Sequence, residues 1–269
     1  MCSVRLAKGV AAGLLLAVPA WAGELAAGDR LRAVFLATNP AQARIDPATG
    51  ERRGPSLDLA RELARRDGLR LEFRAVDDPP AVVEAVRSGN ADVGFVAFEA
   101  TRLGSVEFSQ AYMLVRQSFL VAEASPIRTV TDIDRSGQAV GGTRNDSITL
   151  CLKRILRHAD AVEVPNDPAA IGRALGDGTL HAFAANRQRL TALMQVTPGT
   201  RLLPDDLFDV PQNVVVPKDR PGALAAVNAA IDELRGSGAL QASVERGGAV
   251  GVVAAPAGAR AGCPERAPP

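Results

Sequence analysis

The chain has 269 residues, 31 Lys+Arg against 30 Asp+Glu, 47% hydrophobic residues and 4% aromatic ones. Nearly half apolar and balanced in charge, it reads as globular, and without a basic excess no nucleic-acid partner is expected. Three cysteines are too few for a disulfide scaffold, and no apolar run beyond the N-terminal segment approaches the roughly 18 residues that span a bilayer.

The first segment carries Arg5 and Lys8, an apolar run over 9–18 and the A-x-A pattern Ala20-Trp21-Ala22. That order predicts a cleaved export signal at 1–22 and a soluble periplasmic product. Cys2 precedes the apolar run, whereas a lipoprotein cysteine would follow it.

Residues 31–36 (LRAVFL) then read as a strand, 55–67 as a helix with Leu57, Leu59, Ala60, Leu63 and Ala64 on its apolar face, and 69–76 as an alternating strand. A helix over 79–87 and a buried strand over 91–97 follow. The rhythm restarts with strands at 119–122 and 139–142, a helix at 147–158, a strand at 162–165, a helix at 168–175 and a strand at 180–185. A strand at 213–216 leads to a long helix, and 253–269, rich in Ala, Pro and Gly, is expected to be a disordered tail. Alternating strands and helices predict an α/β fold with mostly parallel sheet.

Residues 85–95 (AVRSGNADVGF) can be laid over 174–184 (ALGDGTLHAFA), with Gly89 on Gly178. This echo marks either two lobes of one design, which would place a ligand between them, or only the common helix–glycine–strand turn.

His158 and His181 are the only histidines, the first in the last turn of a predicted helix and the second in a predicted strand. They make no metal spacing, and no P-loop, G-x-S-x-G or G-x-G-x-x-G occurs, so no metal and no cofactor is expected. Cys151 and Cys263 would be free to pair in an oxidising compartment, although nothing in the sequence demands it.

Four segments in order resemble the family 3 extracellular solute-binding proteins of polar amino-acid ABC importers. They are 54–60 (GPSLDLA), Gly89-Asn90-Ala91-Asp92, Arg102 with 106–112 (VEFSQAY), and Val216-Pro217-Lys218 followed by a helix and Ser237-Gly238. The resemblance covers roughly residues 30–248. It implies a type II two-lobed fold, with 23–113 plus 211–252 as lobe one, 114–210 as lobe two, and hinges near 113–116 and 208–212. It also implies a monomer that closes on a small anionic or zwitterionic solute and meets a membrane permease. A dehydratase-like periplasmic enzyme and a soluble sensor for a membrane receptor are the alternatives on the same fold.

The resemblance assigns Arg102 to the solute's α-carboxylate, which two parallel guanidinium N–H groups fit well. The stretch Ala97-Phe98-Glu99 departs from the usual Ser or Thr, and Glu99 would accept from the ligand or pair with Arg102. Asn145, Asp146 and Ser147 open a helix whose free N–H groups suit an anionic group, or serve as plain caps. Related receptors carry an Asp near position 186 that pairs with the α-ammonium. Asn186 beside Arg187 therefore weakens the free amino-acid reading and admits a carboxylate or another amine-free solute, so the solute is an amino acid or an organic acid, with Arg187 either on the ligand or on the surface. Asn39, with Gln42, replaces a stacking aromatic and predicts a small polar solute.

Overall fold

The computed structural model describes residues 24–45, 49–259 and 262–264; the expected signal peptide lies outside them. In chain order the elements are β1 (Arg30–Leu36), β2 (Arg44–Ile45), β3 (Arg52–Arg53), α1 (Pro55–Arg66), β4 (Arg70–Val76), α2 (Pro79–Arg87) and β5 (Val93–Ala97). Next come β6 (Val106–Ala122), β7 (Ala139–Thr143), α3 (Ser147–Ile155), β8 (Asp160–Val164), α4 (Pro168–Gly176) and β9 (Ala182–Asn186). The chain continues with α5 (Arg187–Val196), β10 (Thr200–Leu202), β11 (Phe208–Pro217), α6 (Pro221–Gly236), α7 (Ala239–Gly247) and β12 (Val252–Ala254).

The main sheet runs β4-β1-β5-β11-β6-β9-β7-β8, with β10 and β12 also on β6. It is two five-stranded units sharing β6, with β12 added to β6 as the tenth strand. In one lobe β4, β1 and β5 are parallel and β11 returns antiparallel beside β6. In the other, β8, β7 and β9 are parallel, while β6 and β10 are the antiparallel pair. The first part of β6 pairs with β11, and Gln117–Leu120 pairs with β9, so this one strand passes from lobe to lobe. The register of β11 against β6 shifts on both sides of Asn213, where this second crossing strand bends. The strands expected at 119–122 and 213–216 are thus the ends of long crossing strands.

Each lobe repeats the other through its third parallel strand. Ala91 donates to the Ala85 carbonyl at 2.8 Å, and Leu180 to the Ala174 carbonyl at 2.8 Å. Gly89 and Gly178 stand at φ 75° and 79°, a conformation glycine takes without strain. The residue ahead of the strand then closes each turn. Asp92 donates its N–H to the Arg32 carbonyl and accepts the Arg32 N–H through Oδ2, both at 2.8 Å. His181 donates to the Ala139 carbonyl at 2.9 Å and accepts the Ala139 N–H through Nδ1 at 3.0 Å. The sequence echo is therefore two lobes of one design.

The cores differ. In the first lobe Phe35 stacks on Phe73 at 4.4 Å, Phe73 meets Phe95 at 6.1 Å and Phe95 meets Tyr112 at 5.8 Å, the last two edge to face. Tyr112 is fully buried, its hydroxyl 2.6 Å from Ser56 Oγ, and burial raises its pKa. Helices α1, α6 and α7 cover this face with Leu57, Leu63, Val227, Ile231 and Val244. Gly54 admits the Gln42 carbonyl so closely that a Cβ would sit 2.5 Å from it, which seats α1 against the 42–43 backbone. The second lobe packs Phe119, Val121, Ile148 and Leu152 on one face and Leu175, Phe183 and Leu190 on the other.

Two expectations fail. Helix α3 ends at Ile155, so His158 is not in its last turn: the Asp134 carboxylate collects the N–H groups of Arg157, His158 and Ala159 at 2.8–3.0 Å and stops the helix. The expected disordered tail is built onto the fold over its described part. There β12 pairs with β6, Ala255 is buried, and Cys263 is bonded to Cys151. Ala255 and Ala259 fit beside Ala111 and Leu114, so the small residues of the described part serve close packing.

Candidate functional site

The C-terminal ends of the parallel strands from both lobes face one another. Leu36 ends β1 and Thr38 follows it, Asp77 and Asp78 follow β4, Thr143 to Asp146 run out of the end of β7, and Val164 to Asn166 out of the end of β8. Together they line a cavity of about 520 Å3. Strand ends and the loops behind them are where open α/β sheets receive ligands, and this volume suits a small solute.

Arg102 stands at the joint, only 9% exposed, in a short turn after β5. One Nη donates to the Ala97 carbonyl at 2.8 Å; the other crosses to the second lobe and donates to the Asn145 carbonyl at 2.9 Å. Asn145 stands at φ 60°, a left-handed conformation asparagine tolerates, next to the start of α3. Burial pulls the Arg102 guanidinium below its ordinary value, and Asp146 and then Glu99 pull it back. It remains a cation with further N–H groups to offer.

Glu99 is 3% exposed and does not pair with Arg102. Both of its oxygens accept from Arg154 of α3, at 2.9 and 3.3 Å. This is a second contact between the lobes. A third is made of amides. Asn186 donates to Asn39 Oδ1 at 3.1 Å, and Asn39 and Gln42 both donate to Gln212 Oε1, at 3.3 and 3.1 Å. Gln42 also accepts the Leu36 N–H and donates to the Phe95 carbonyl. Asn39 and Asn186 thus join the lobes beside the crossing strand β11. Asn186 also caps α5 by accepting the Arg189 N–H.

Asp146 caps α3 through the Ser147 N–H at 2.9 Å and presents its other oxygen 3.6 Å from Arg189. Arg189 is nearly buried and donates to Thr143 Oγ1 and Asn166 Oδ1, at 2.7 and 2.5 Å, from behind the cavity wall. Its guanidinium lies over the Phe183 ring, and burial lowers its pKa against the pull of Asp146.

Of the expected site residues only Asn145 and Asp146 line this cavity, and Arg187 and Phe98 serve elsewhere. Arg187 is occupied by Asp206 and by the carbonyls of Leu203, Pro204 and Asp205, which hold a loop of the second lobe. Phe98 packs edge to face on Phe108 at 5.2 Å and lines a different, more apolar cavity with Leu103, Pro211 and Ala259. Ala97 contributes its carbonyl to Arg102.

Sequence reasoning missed Arg154, Arg189 and the carboxylates of Asp77 and Asp78. Arg189 carried a signal: a cation in the first turn of a helix opposes the dipole, so it needs a partner outside the helix. Arg154, in a last helical turn, gave none. The cavity lining holds Asp77, Asp78 and Asp146 against Arg144, whose Nε lies 3.4 Å from Glu163. Among the described residues, no group of three or more His, Cys, Asp and Glu is arranged to hold a metal, and no helix is long and apolar enough to cross a membrane.

The family model for bacterial extracellular solute-binding proteins, family 3, matches residues 31–246. The ABC transporter glutamine-binding protein GlnH of Bacillus subtilis (strain 168) is 22% identical over 198 residues, which is 72% of this chain and 71% of that protein. Two solved structures share the fold. One is the amino-acid ABC transporter substrate-binding protein AbpA of Streptococcus pneumoniae bound to L-arginine, with TM-score 0.67, 20% identity, and coverage of 81% of this chain and 94% of that one. The other is a histidine kinase sensor domain similar to periplasmic binding proteins, with TM-score 0.68, 19% identity, and coverage of 84% and 98%.

Proposed function

The chain belongs to the bacterial extracellular solute-binding proteins of family 3, and on that premise we propose that it captures a small amino acid between its lobes in the periplasm. As a monomer it then delivers the solute to a membrane ABC permease, without chemical conversion. The observation that carries this reading is a cavity walled by both lobes, whose Asn145 also receives the buried Arg102 guanidinium on its carbonyl from an adjoining cavity.

Charge narrows the solute. Arg102 offers a carboxylate two N–H groups once lobe opening frees it from the Asn145 carbonyl. The three carboxylates of the lining oppose a bare anion and favour one that also carries an ammonium. The counter-charge that Asn186 cannot supply thus has a source in Asp77, Asp78 or Asp146, and of the two solute classes the sequence admits a zwitterion fits better than an amine-free acid. The glutamine and arginine bound by relatives of this chain are zwitterions of this size class. Glu99, with both oxygens on Arg154, serves closure in this reading and not proton transfer.

Melting curves of the purified protein against L-glutamine, L-arginine, L-glutamate, succinate and acetate test the proposal. A true ligand at about 100 times its Kd adds roughly 2.7 kcal/mol, and Arg102→Ala should remove that gain. Stabilisation by succinate or acetate but by no amino acid would refute the zwitterion, and an undiminished gain in Arg102→Ala would refute the role of the arginine. Import, as against sensing, further requires that the loaded protein raise the ATPase rate of the permease.

A further inference from the structure

Cys151 and Cys263 form a disulfide with Cα atoms 5.4 Å apart, closing a sequence separation of 112. Its two ends belong to different bodies. Cys151 is buried on α3, in the second lobe. Cys263 ends a segment fastened to the first lobe and the crossing strand. There β12 pairs with Met113–Val115, and Ala255 donates to the Tyr112 carbonyl at 3.1 Å. Arg235 of α6 donates to the Ala255 carbonyl at 2.8 Å, and Ala255 packs on Ala111 and Leu114. The bond therefore joins the lobes covalently by a route separate from β6 and β11.

The element it reaches is the one that closes the cleft. Cys151 and Arg154 are three residues apart and so share a face of α3, and Arg154 grips Glu99 of the first lobe. The start of the same helix is preceded by Asn145, whose carbonyl holds Arg102. These polar contacts break when the lobes part; the disulfide does not. We propose that the Cys151–Cys263 disulfide is a leash that limits how far the cleft opens and keeps the closing contacts of α3 near their partners. As a statement about regulating the cleft, it rests on the reading of that cleft as the site of capture.

Chain length sets the slack. From the anchor at Ala255 to Cys263 the chain spans at most about 26–29 Å when fully extended, so the leash allows opening and caps it. A short tether raises the effective concentration of the contacts it keeps close, which favours re-closure with no change in those contacts. A dithiol releases the leash: it gives two electrons and two protons, the S–S bond breaks into two thiols, and the dithiol closes to its own disulfide. Cys263 is the more exposed sulfur and the point of attack.

The test uses the full mature chain with no solute, so its result does not depend on which solute binds. Hydrogen–deuterium exchange and small-angle X-ray scattering are compared for the oxidised protein, the same protein in dithiothreitol, Cys263→Ser and Cys151→Ser. Exchange over 97–102 and 143–147 should quicken about tenfold when the leash is cut. The radius of gyration should rise with it, while 31–36 and 119–121 stay unchanged. Cys263→Ser carries the result if Cys151→Ser, at a buried site, fails to fold. Unchanged exchange at the cleft, with protection lost only over 252–255, would overturn the proposal and reduce the bond to a staple for the C-terminal segment.

Discussion

The turn ahead of the third parallel strand is closed by Asp92 in the first lobe and by His181 in the second. Each side chain accepts the N–H of the neighbouring strand's residue, Arg32 or Ala139. Around that shared turn the lobes diverge. In the first, Asp92 also takes the Arg32 guanidinium at 2.6 and 3.1 Å, and the core behind it is a run of four aromatic rings ending on Ser56. In the second, the histidine ring takes a backbone N–H, the core is mainly aliphatic, and Phe183 packs on Arg189 beside the cleft. The repeat shows one backbone plan supporting two roles: an aromatic-cored platform carrying Arg102 and Glu99, and a partner whose helix α3 and the turn before it reach across to hold both.

The comparison breaks first at the cores. Phe95→Ala should cost about 5 kcal/mol in urea unfolding, because the truncation loses two edge-to-face partners as well as burial. Phe183→Ala, equally buried, should cost about 3–4 kcal/mol. Equal costs would mean that the aromatic run adds nothing specific to the first lobe. The shared turn is a finer probe. Asp92→Ala leaves the Arg32 N–H and guanidinium without their acceptor and should cost about 2–3 kcal/mol, discounted for the half-exposed arginine. His181→Ala loses one acceptor and should cost about 1 kcal/mol. A reversed order in the same unfolding series would contradict the extra hold that the Arg32–Asp92 pair gives the first lobe's turn.

Much of the scaffold was legible because its causes are local. Apolar spacing marked α1, a proline placed the start of α2 behind its cap Asp78, and the glycine turns of the two lobes matched each other. Arg102 was singled out by the family resemblance of the Phe-Ser-Gln-Ala-Tyr run that follows it, and it stands buried at the joint of the lobes. What escaped was what two distant segments decide together. No local pattern links Glu99 to Arg154, or lets Asp206 and three carbonyls claim Arg187 while Arg189, two residues on, turns to the cleft. The C-terminal segment misled for a physical reason: Ala, Gly and Pro score as disorder by composition, yet Ala255 and Ala259 are what fit beside Ala111 and Leu114 of β6. The missing aromatic at Asn39 has a reason too, since that side chain spends its hydrogen bonds on Gln212 and Asn186 at the joint.

Capture between the lobes requires that one solute touch both of them at once. Hydrogen–deuterium exchange of the oxidised protein, with and without the amino acid that raises its melting temperature most, tests this directly. Added protection is expected over 97–102 and 143–147 together, at the same solute concentration. Protection confined to one of these segments, or absent from both while the protein is stabilised, would contradict it.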